Sequence, residues 1–196
     1  MEIEDEGIGS SEHVQLSQEI QNNHVEAAKL LIDKIDINSS NYQLFLSVTL
    51  ERKEIFHHFL QKSNINLNVL NESGQSLLHQ SLKCSDPYFL NRLLEMGVSL
   101  QLDLYKTILH NAVATNKPNF IEPLIKYGAL MNNEDIMGMT PLDIAIENSN
   151  FEIVSMFLYY NCDTSSKCGN VSPFMYSMIC CNDRKYSYYF WSLRLT

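Results

Sequence analysis

The sequence predicts an all-α protein made of stacked helix–turn–helix units, and three observations carry that expectation. The segment Gly138-Met-Thr140-Pro141-Leu142-Asp143-Ile144-Ala145 is echoed by Thr107-Ile-Leu109-His110-Asn-Ala112 and by Gly74-Gln-Ser76-Leu-Leu78-His79-Gln-Ser81. The period is nearly constant: Thr140 lies 33 residues after Thr107, and Thr107 lies 31 after Ser76. Each copy is followed by a second apolar stretch at helical spacing, such as Phe120-Ile121 with Leu124-Ile125, or Phe151 with Val154 and Leu158.

Each element has a local reason. Thr107 and Thr140 are N-cap residues, and Pro141 sits at the first helical position, where its missing N–H costs nothing. Leu142, Ala145 and Ile146 then recur at i, i+3 and i+4, and the small Ala145 and Ala112 suit closely packed antiparallel helices. In the second helix Phe151, Val154 and Leu158 are expected to face the neighbouring unit. Pro87 and Pro118 mark the starts of second helices, and Gly97 and Gly128 stand just past their ends as left-handed caps, with Asn161 in the matching place. Weaker copies extend the array. Upstream are Leu16–Glu19 with Leu30-Leu31, and Tyr42–Ser47 with Ile55-Phe56 and Phe59-Leu60. Downstream is Asn170–Ser177, where Ser172-Pro173 begins another unit and Tyr189, Phe190 and Leu193 supply its second helix.

These units are variations on the T-P-L-H-x-A repeat of about 33 residues, and the chain resembles the ankyrin-repeat family. The resemblance implies an ankyrin solenoid of about six repeats over 13–196, near 13–38, 39–68, 69–100, 101–132, 133–164 and 165–196, after an acidic flexible tail, 1–12. It also implies that His79 and His110 bond the backbone of an adjacent loop and are structural.

Composition narrows the function. Of 196 residues, 45% are hydrophobic and 19% charged, which excludes wholesale disorder and simple coiled coil. The net charge is −9, and more than half of it sits in Glu2, Glu4, Asp5, Glu6 and Glu12, with no Lys or Arg before Lys29. The chain therefore lacks the basic face that phosphate contacts need, and no direct nucleic-acid binding is expected. No apolar run approaches a membrane span, and the acidic N-terminus is unlike a signal or transit peptide. Five Cys without framework spacing suit reduced thiols in cytoplasm or nucleus.

Candidate chemistry is sparse. Cys162, Cys168, Cys180 and Cys181 form no Cys-x-x-Cys and have no nearby His, so no zinc site is assigned. His57 and His58 are adjacent on a second helix, about 100° apart, and read as a solvated face. Gly7-Ile8-Gly9 is too short for a dinucleotide loop, and no nucleophile set has a strand–turn–helix context. The reading has no catalytic residue, no cofactor and no metal.

Two short patterns resemble known signals. Asp5–Ser10 is similar to the D-S-G-x-x-S phosphodegron of IκB proteins, with Glu6 in the first phosphoserine place. Leu30, Asp36, Ile37 and Asn38 resemble the hairpin context of an asparaginyl hydroxylase. A further resemblance is to short IκB-like ankyrin proteins such as those of insect-associated viruses.

The expected function is that of a non-catalytic module, monomeric, which binds another protein. Its partner would sit on the concave face formed by hairpin tips and first helices. The resemblance transfers that face to Asn71, Glu72, Leu102, Tyr105, Glu134, Asp135 and Met137 at the tips, and to Gln80, Lys83, Asn111, Thr115, Glu147 and Asn148 on the inner helices. Leu102, Leu104 and Tyr105 put apolar groups at the fourth tip, and acidic Glu72, Glu134 and Asp135 suit a basic partner segment. An IκB-like inhibitor masking a Rel/NF-κB-type transcription factor is the first expectation. The alternative is a scaffold or substrate adaptor.

Overall fold

The computed structural model describes residues 8–100 and 107–163, with the backbone alone at 8–10 and 37. The chain divides into two compact units, Met1–Ser99 and Leu100–Thr196. In the first, α1 (Ile8–Asn22) pairs with α2 (Val25–Ile32), α3 (Asn41–Thr49) with α4 (Lys53–Leu60), and α5 (Leu77–Ser81) with α6 (Tyr88–Glu95). The first helices pack in sequence, α1 on α3 and α3 on α5, while α2 packs on α4. In the second unit α7 (Ile108–Ala114) pairs with α8 (Pro118–Lys126), and α9 (Pro141–Glu147) with α10 (Phe151–Tyr159); α7 packs on α9 and α8 on α10. Among the described residues there is no strand, only an isolated bridge between Leu70 and Ser76, and no helix long and apolar enough to cross a membrane.

The first helices start as their sequences dictate. Thr140 Oγ1 accepts the Asp143 N–H at 3.2 Å, and the Asp143 carboxylate accepts the Thr140 N–H at 2.8 Å, a reciprocal box that satisfies two otherwise orphaned donors. Histidine replaces the carboxylate in the preceding copies: His110 Nδ1 accepts the Thr107 N–H at 3.2 Å, and His79 Nδ1 the Ser76 N–H at 3.3 Å. A backbone N–H only donates, so Nδ1 is the lone-pair nitrogen and Nε2 carries the hydrogen. His110 Nε2 gives that hydrogen to the Met139 carbonyl, 2.9 Å away in the following hairpin.

Apolar residues inside each pair form the core. Phe56, Phe59, Phe89 and Phe157 are fully buried and Phe120 nearly so, and the Phe56 and Phe89 rings meet edge to face at 5.1 Å across α4 and α6. Leu142, Ala145 and Ile146 are buried as their spacing predicts. Phe151 departs from expectation at 46% exposed; α10 buries Ile153, Val154 and Phe157 instead. Phe151 is the first residue of α10 and lies about 110° around the helix from the centre of the stripe that Ile153, Val154 and Phe157 form, so it sits off its edge. The N-terminal boundary also moves: α1 begins at Ile8, upstream of His13, because nothing between Ser10 and Glu12 interrupts a helix. Among the described residues the first in the core is Leu16. The sixth repeat, with Asn170–Ser177 and Tyr186–Trp191, lies outside the described residues.

Left-handed residues reverse the chain. Gly97 (φ 74°), Gly128 (φ 89°) and Asn161 (φ 57°) close second helices at the places the sequence marks. A further set, Asn23, Glu51, Asn116 and Ser149 (φ 53–59°), joins the two helices in four of the five described pairs, all but α5 and α6. Glu51 and Ser149 are not residues that the pattern flags. Glu51 is held from outside, its carboxylate accepting the Ser85 N–H at 2.8 Å. Beside it, Arg52 donates to the carbonyls of Ile20 (3.2 Å) and Gln21 (2.9 Å) at the C-terminal end of α1. Loop asparagines link successive repeats the same way: the Asn68 side chain accepts the Ser99 N–H at 2.9 Å, and Asn132 the Asp163 N–H at 2.9 Å.

A Cβ on Gly97 meets nothing within 4 Å, so its backbone dihedral alone resists substitution. Gly97→Ala is expected to cost about 1–2 kcal/mol in chemical denaturation. Gly97→Asn should cost clearly less, because Asn visits the left-handed region more readily. Equal losses would mean that the site is limited by space.

Candidate protein-interaction surface

Two hairpin tips, one in each unit, share a backbone design. In the first, Asn71 Oδ1 accepts the N–H groups of Ser73 (3.0 Å) and Gln75 (2.9 Å), and Asn71 N–H donates to the Gln75 carbonyl at 2.9 Å. In the second, Asp135 Oδ1 accepts Met137 N–H (2.8 Å) and Met139 N–H (3.0 Å), and Asp135 N–H donates to the Met139 carbonyl at 2.8 Å. Each tip turns back through a left-handed glycine, Gly74 (φ 71°) or Gly138 (φ 75°). Asn71 and Asp135 are thus isosteric turn-formers. The acidic-tip reading of Asp135 is corrected: it is only 9% exposed, and its carboxylate faces inward to organise the loop.

With the turn-formers aligned, the side chains that project from the tips can be compared. Glu72 and Ser73 stand exposed on the first tip. Ile136 and Met137 take those places on the second and are 71% and 80% exposed. Met137 is among the sequence-derived positions, whereas Ile136 is not. The signal for it lies in the register of Asp135 on Asn71, which places Ile136 opposite Glu72. Glu134 is exposed beside them. Leu102 and Tyr105, with Leu104, lie outside the described residues.

The inner-helix positions divide. Gln80 is 8% exposed and donates to Thr49 Oγ1 at 2.9 Å, so it ties α5 to α3 and is not a surface contact. Lys83 is exposed but folds back onto Gln75 Oε1 (2.8 Å) and Gln80 Oε1 (3.3 Å). Asn111 is half-buried, and the exposed Thr115 returns its hydroxyl to the Ala112 carbonyl at 2.7 Å. Glu147 and Asn148 are exposed at the end of α9. Glu134, Ile136 and Met137 are thus exposed on one hairpin, and Glu147 and Asn148 at the far end of the inner helix that follows it. The structure withdraws Gln80 and Asp135 into the scaffold.

On the outer helices, an open cleft of about 430 Å³ is lined by Lys29, Lys53, Glu54, His57, His58, Gln61 and Tyr88. Its lysines are engaged, Lys29 with Glu26 at 2.9 Å and Lys53 with Asp86 at 2.6 Å, and His58 Nε2 lies 2.8 Å from Asp33 Oδ1. Hydrogen bonds from Lys62 and His58 hold the Asp33 carboxyl below its usual range. His58 is thus tied across α2 and α4, which corrects its reading as part of a solvated face; His57 stays exposed. Cys84 and Cys162 are buried thiols, and Cys84 Sγ donates to the Val48 carbonyl at 3.4 Å. Burial, followed by the neighbouring Asp163, pushes the Cys162 thiol up to about 11. Among the described residues no three His, Cys, Asp or Glu side chains could hold a metal ion; Cys168, Cys180 and Cys181 lie outside them.

Comparison with known proteins agrees with this geometry. The family model for ankyrin repeats, in three copies, matches residues 78–168. Over 149 residues the chain is 26% identical to ankyrin repeat protein FPV034 of Fowlpox virus (strain NVSL), covering 72% of this chain and 35% of that protein. It is 31% identical over 98 residues to the nuclear factor NF-kappa-B p105 subunit of Gallus gallus, covering 46% of this chain and 10% of that one. The solved ankyrin repeat domain of Bcl-3, a member of the IkappaB family, superposes with a TM-score of 0.70 at 19% identity, over 82% of this chain and 76% of that one. The chain carries ankyrin repeats and has the ankyrin-repeat fold. It spans about a third or less of the length of these two curated relatives. Ankyrin-repeat domains are protein-interaction modules and are generally not enzymes.

Two measurements check the site. Asp135→Ala is expected to cost about 1–3 kcal/mol by stranding two loop N–H groups, while Met137→Ser stays within about 0.5 kcal/mol; equilibrium urea melts compare them. Cys162 should resist iodoacetamide in the native protein and react on unfolding, as read by peptide mass spectrometry. Its thiol titrates higher when folded, so its contribution is intact below pH 9.0 and declines as pH rises towards about 11. Melting temperatures of wild type and Cys162→Ala across that range should converge if this is correct.

Proposed function

We propose that this protein binds and masks a partner protein, acting as an IκB-like inhibitor of a Rel/NF-κB-type transcription factor. The observation that carries the reading is the 31% identity to the p105 subunit over 98 residues. The likeness in fold to an IkappaB-family ankyrin domain is compatible with it. So is a surface that offers an apolar, acid-flanked hairpin and no catalytic constellation among the described residues. In this reading about six repeats over 13–196 form the binding array, after the acidic residues Glu2 to Glu12. The chain acts as a monomer in cytoplasm or nucleus, on protein and not on nucleic acid or membrane.

The test is calorimetric titration of a purified Rel-homology dimer with the 196-residue chain, alongside displacement of that dimer from its DNA site. The expected result is a dissociation constant of about 1 μM or tighter, equivalent to about −8 kcal/mol, with release of the DNA. No heat and no displacement up to about 1 mM would overturn the reading in favour of a scaffold or adaptor.

A further inference from the structure

We propose that Met137 is a site of reversible sulfoxidation by hydroperoxides, and that the sulfoxide turns the second hairpin tip from apolar to polar while the fold stays intact. The inference goes beyond the interaction reading and does not depend on which partner the protein binds.

Access is the first observation. Met137 is 80% exposed, the highest value of any large hydrophobic residue among those described, against 46% for Met96. Met131, Met139 and Met156 are half-buried. The turn holds that exposure in place. Asp135 Oδ1 accepts the Met137 N–H at 2.8 Å and the Met139 N–H at 3.0 Å, and His110 Nε2 donates to the Met139 carbonyl at 2.9 Å. The thioether is therefore presented to solvent without any opening of the loop.

The step needs no catalytic group. A sulfur lone pair attacks one oxygen of the peroxide, and the S–O bond forms as the O–O bond breaks. The departing hydroxide takes the proton from the transferred oxygen and leaves as water. Sulfur gives up two electrons, and the peroxide is reduced. Both reactants are neutral, so the carboxylates around the tip neither drive nor prevent the step.

The second observation is the division of duties within the turn. At a buried methionine the polar, chiral sulfoxide would disrupt packing. At this tip the turn is held through backbone N–H groups, and the thioether stands outside it. Ile136, 71% exposed beside it, has no sulfur and keeps its apolar surface. Oxidation therefore converts one half of an apolar pair into a hydrogen-bond acceptor. The matching turn of the first unit has Glu72 and Ser73 in these places, so peroxide leaves its surface unchanged. Of the two tips, the second carries a group whose polarity an oxidant can change and a sulfoxide reductase can restore.

The experiment treats the intact chain with limiting hydrogen peroxide and follows the sulfoxide at each methionine by peptide mass spectrometry. Met137 is expected to oxidise at least about fivefold faster than the half-buried Met139, and ahead of Met96. The oxidised protein should elute earlier from a phenyl matrix, with its melting temperature moved by no more than about 2 °C. Met137→Leu should lose most of that elution shift, because Leu keeps the apolar surface and has no sulfur. Methionine sulfoxide reductases A and B with dithiothreitol should return the wild type to its original elution. Oxidation of Met137 no faster than that of Met139 overturns the proposal, as does an undiminished elution shift in Met137→Leu. A melt lowered by more than about 5 °C in the oxidised wild type but not in oxidised Met137→Leu also overturns it, since the side chain would then belong to the packing.

Discussion

Every element of this protein depends on burial against a neighbour, because its helices are too short to stand alone. Apart from α1, with 15 residues, no described helix exceeds nine, and α5 has five. Isolated helices of that length are marginal in water, since the cost of nucleation is spread over too few hydrogen bonds. What holds them is the apolar stripe each presents to its pair and to the next pair, with Phe56 on Phe89 as one contact between repeats. Loss of such a ring would cost about 3–5 kcal/mol, a large part of the stability of an ordinary domain.

Stacking of this kind works only if successive pairs keep one register, and polar contacts maintain it. Arg52 reaches back to the end of α1, Glu51 holds Ser85, Asn68 holds Ser99 and Asn132 holds Asp163. Each spans 31 to 34 residues, close to the length of the repeat. These bonds satisfy backbone groups at helix ends and turns that the helices cannot satisfy themselves. A partially strained residue such as Glu51 is tolerated because its side chain is fastened from the next repeat.

The same rigidity separates scaffold from surface at the hairpin tips. One side chain in each, Asn71 or Asp135, faces inward and consumes its acceptor on loop N–H groups. The next two point outward and are free of any structural duty. Changing Glu72-Ser73 to Ile136-Met137 therefore alters what a tip can bind without altering how it folds. That division lets a repeat array vary its partners while holding its backbone.

The sequence by itself determined the repeat period, the pairing of helices, the N-caps at Thr107 and Thr140, and the left-handed Gly97, Gly128 and Asn161. All of these follow from interactions within a few residues, between a side chain and its own backbone, so the local pattern displays them. Only the tertiary structure decided that Gln80 turns to Thr49, that Phe151 leaves the buried stripe of α10, and that Asp135 is spent inside its turn while Ile136 stands out. Gln80 and its partner lie 31 residues apart. The burial of Phe151 depends on which face of α10 meets α8 and α9. The role of Asp135 emerges when its turn is laid over that of Asn71. Residue type constrains such choices weakly, because Gln, Phe and Asp are each compatible with either side of a short amphipathic helix or turn; the packed neighbour, a whole repeat away in the chain, selects the side.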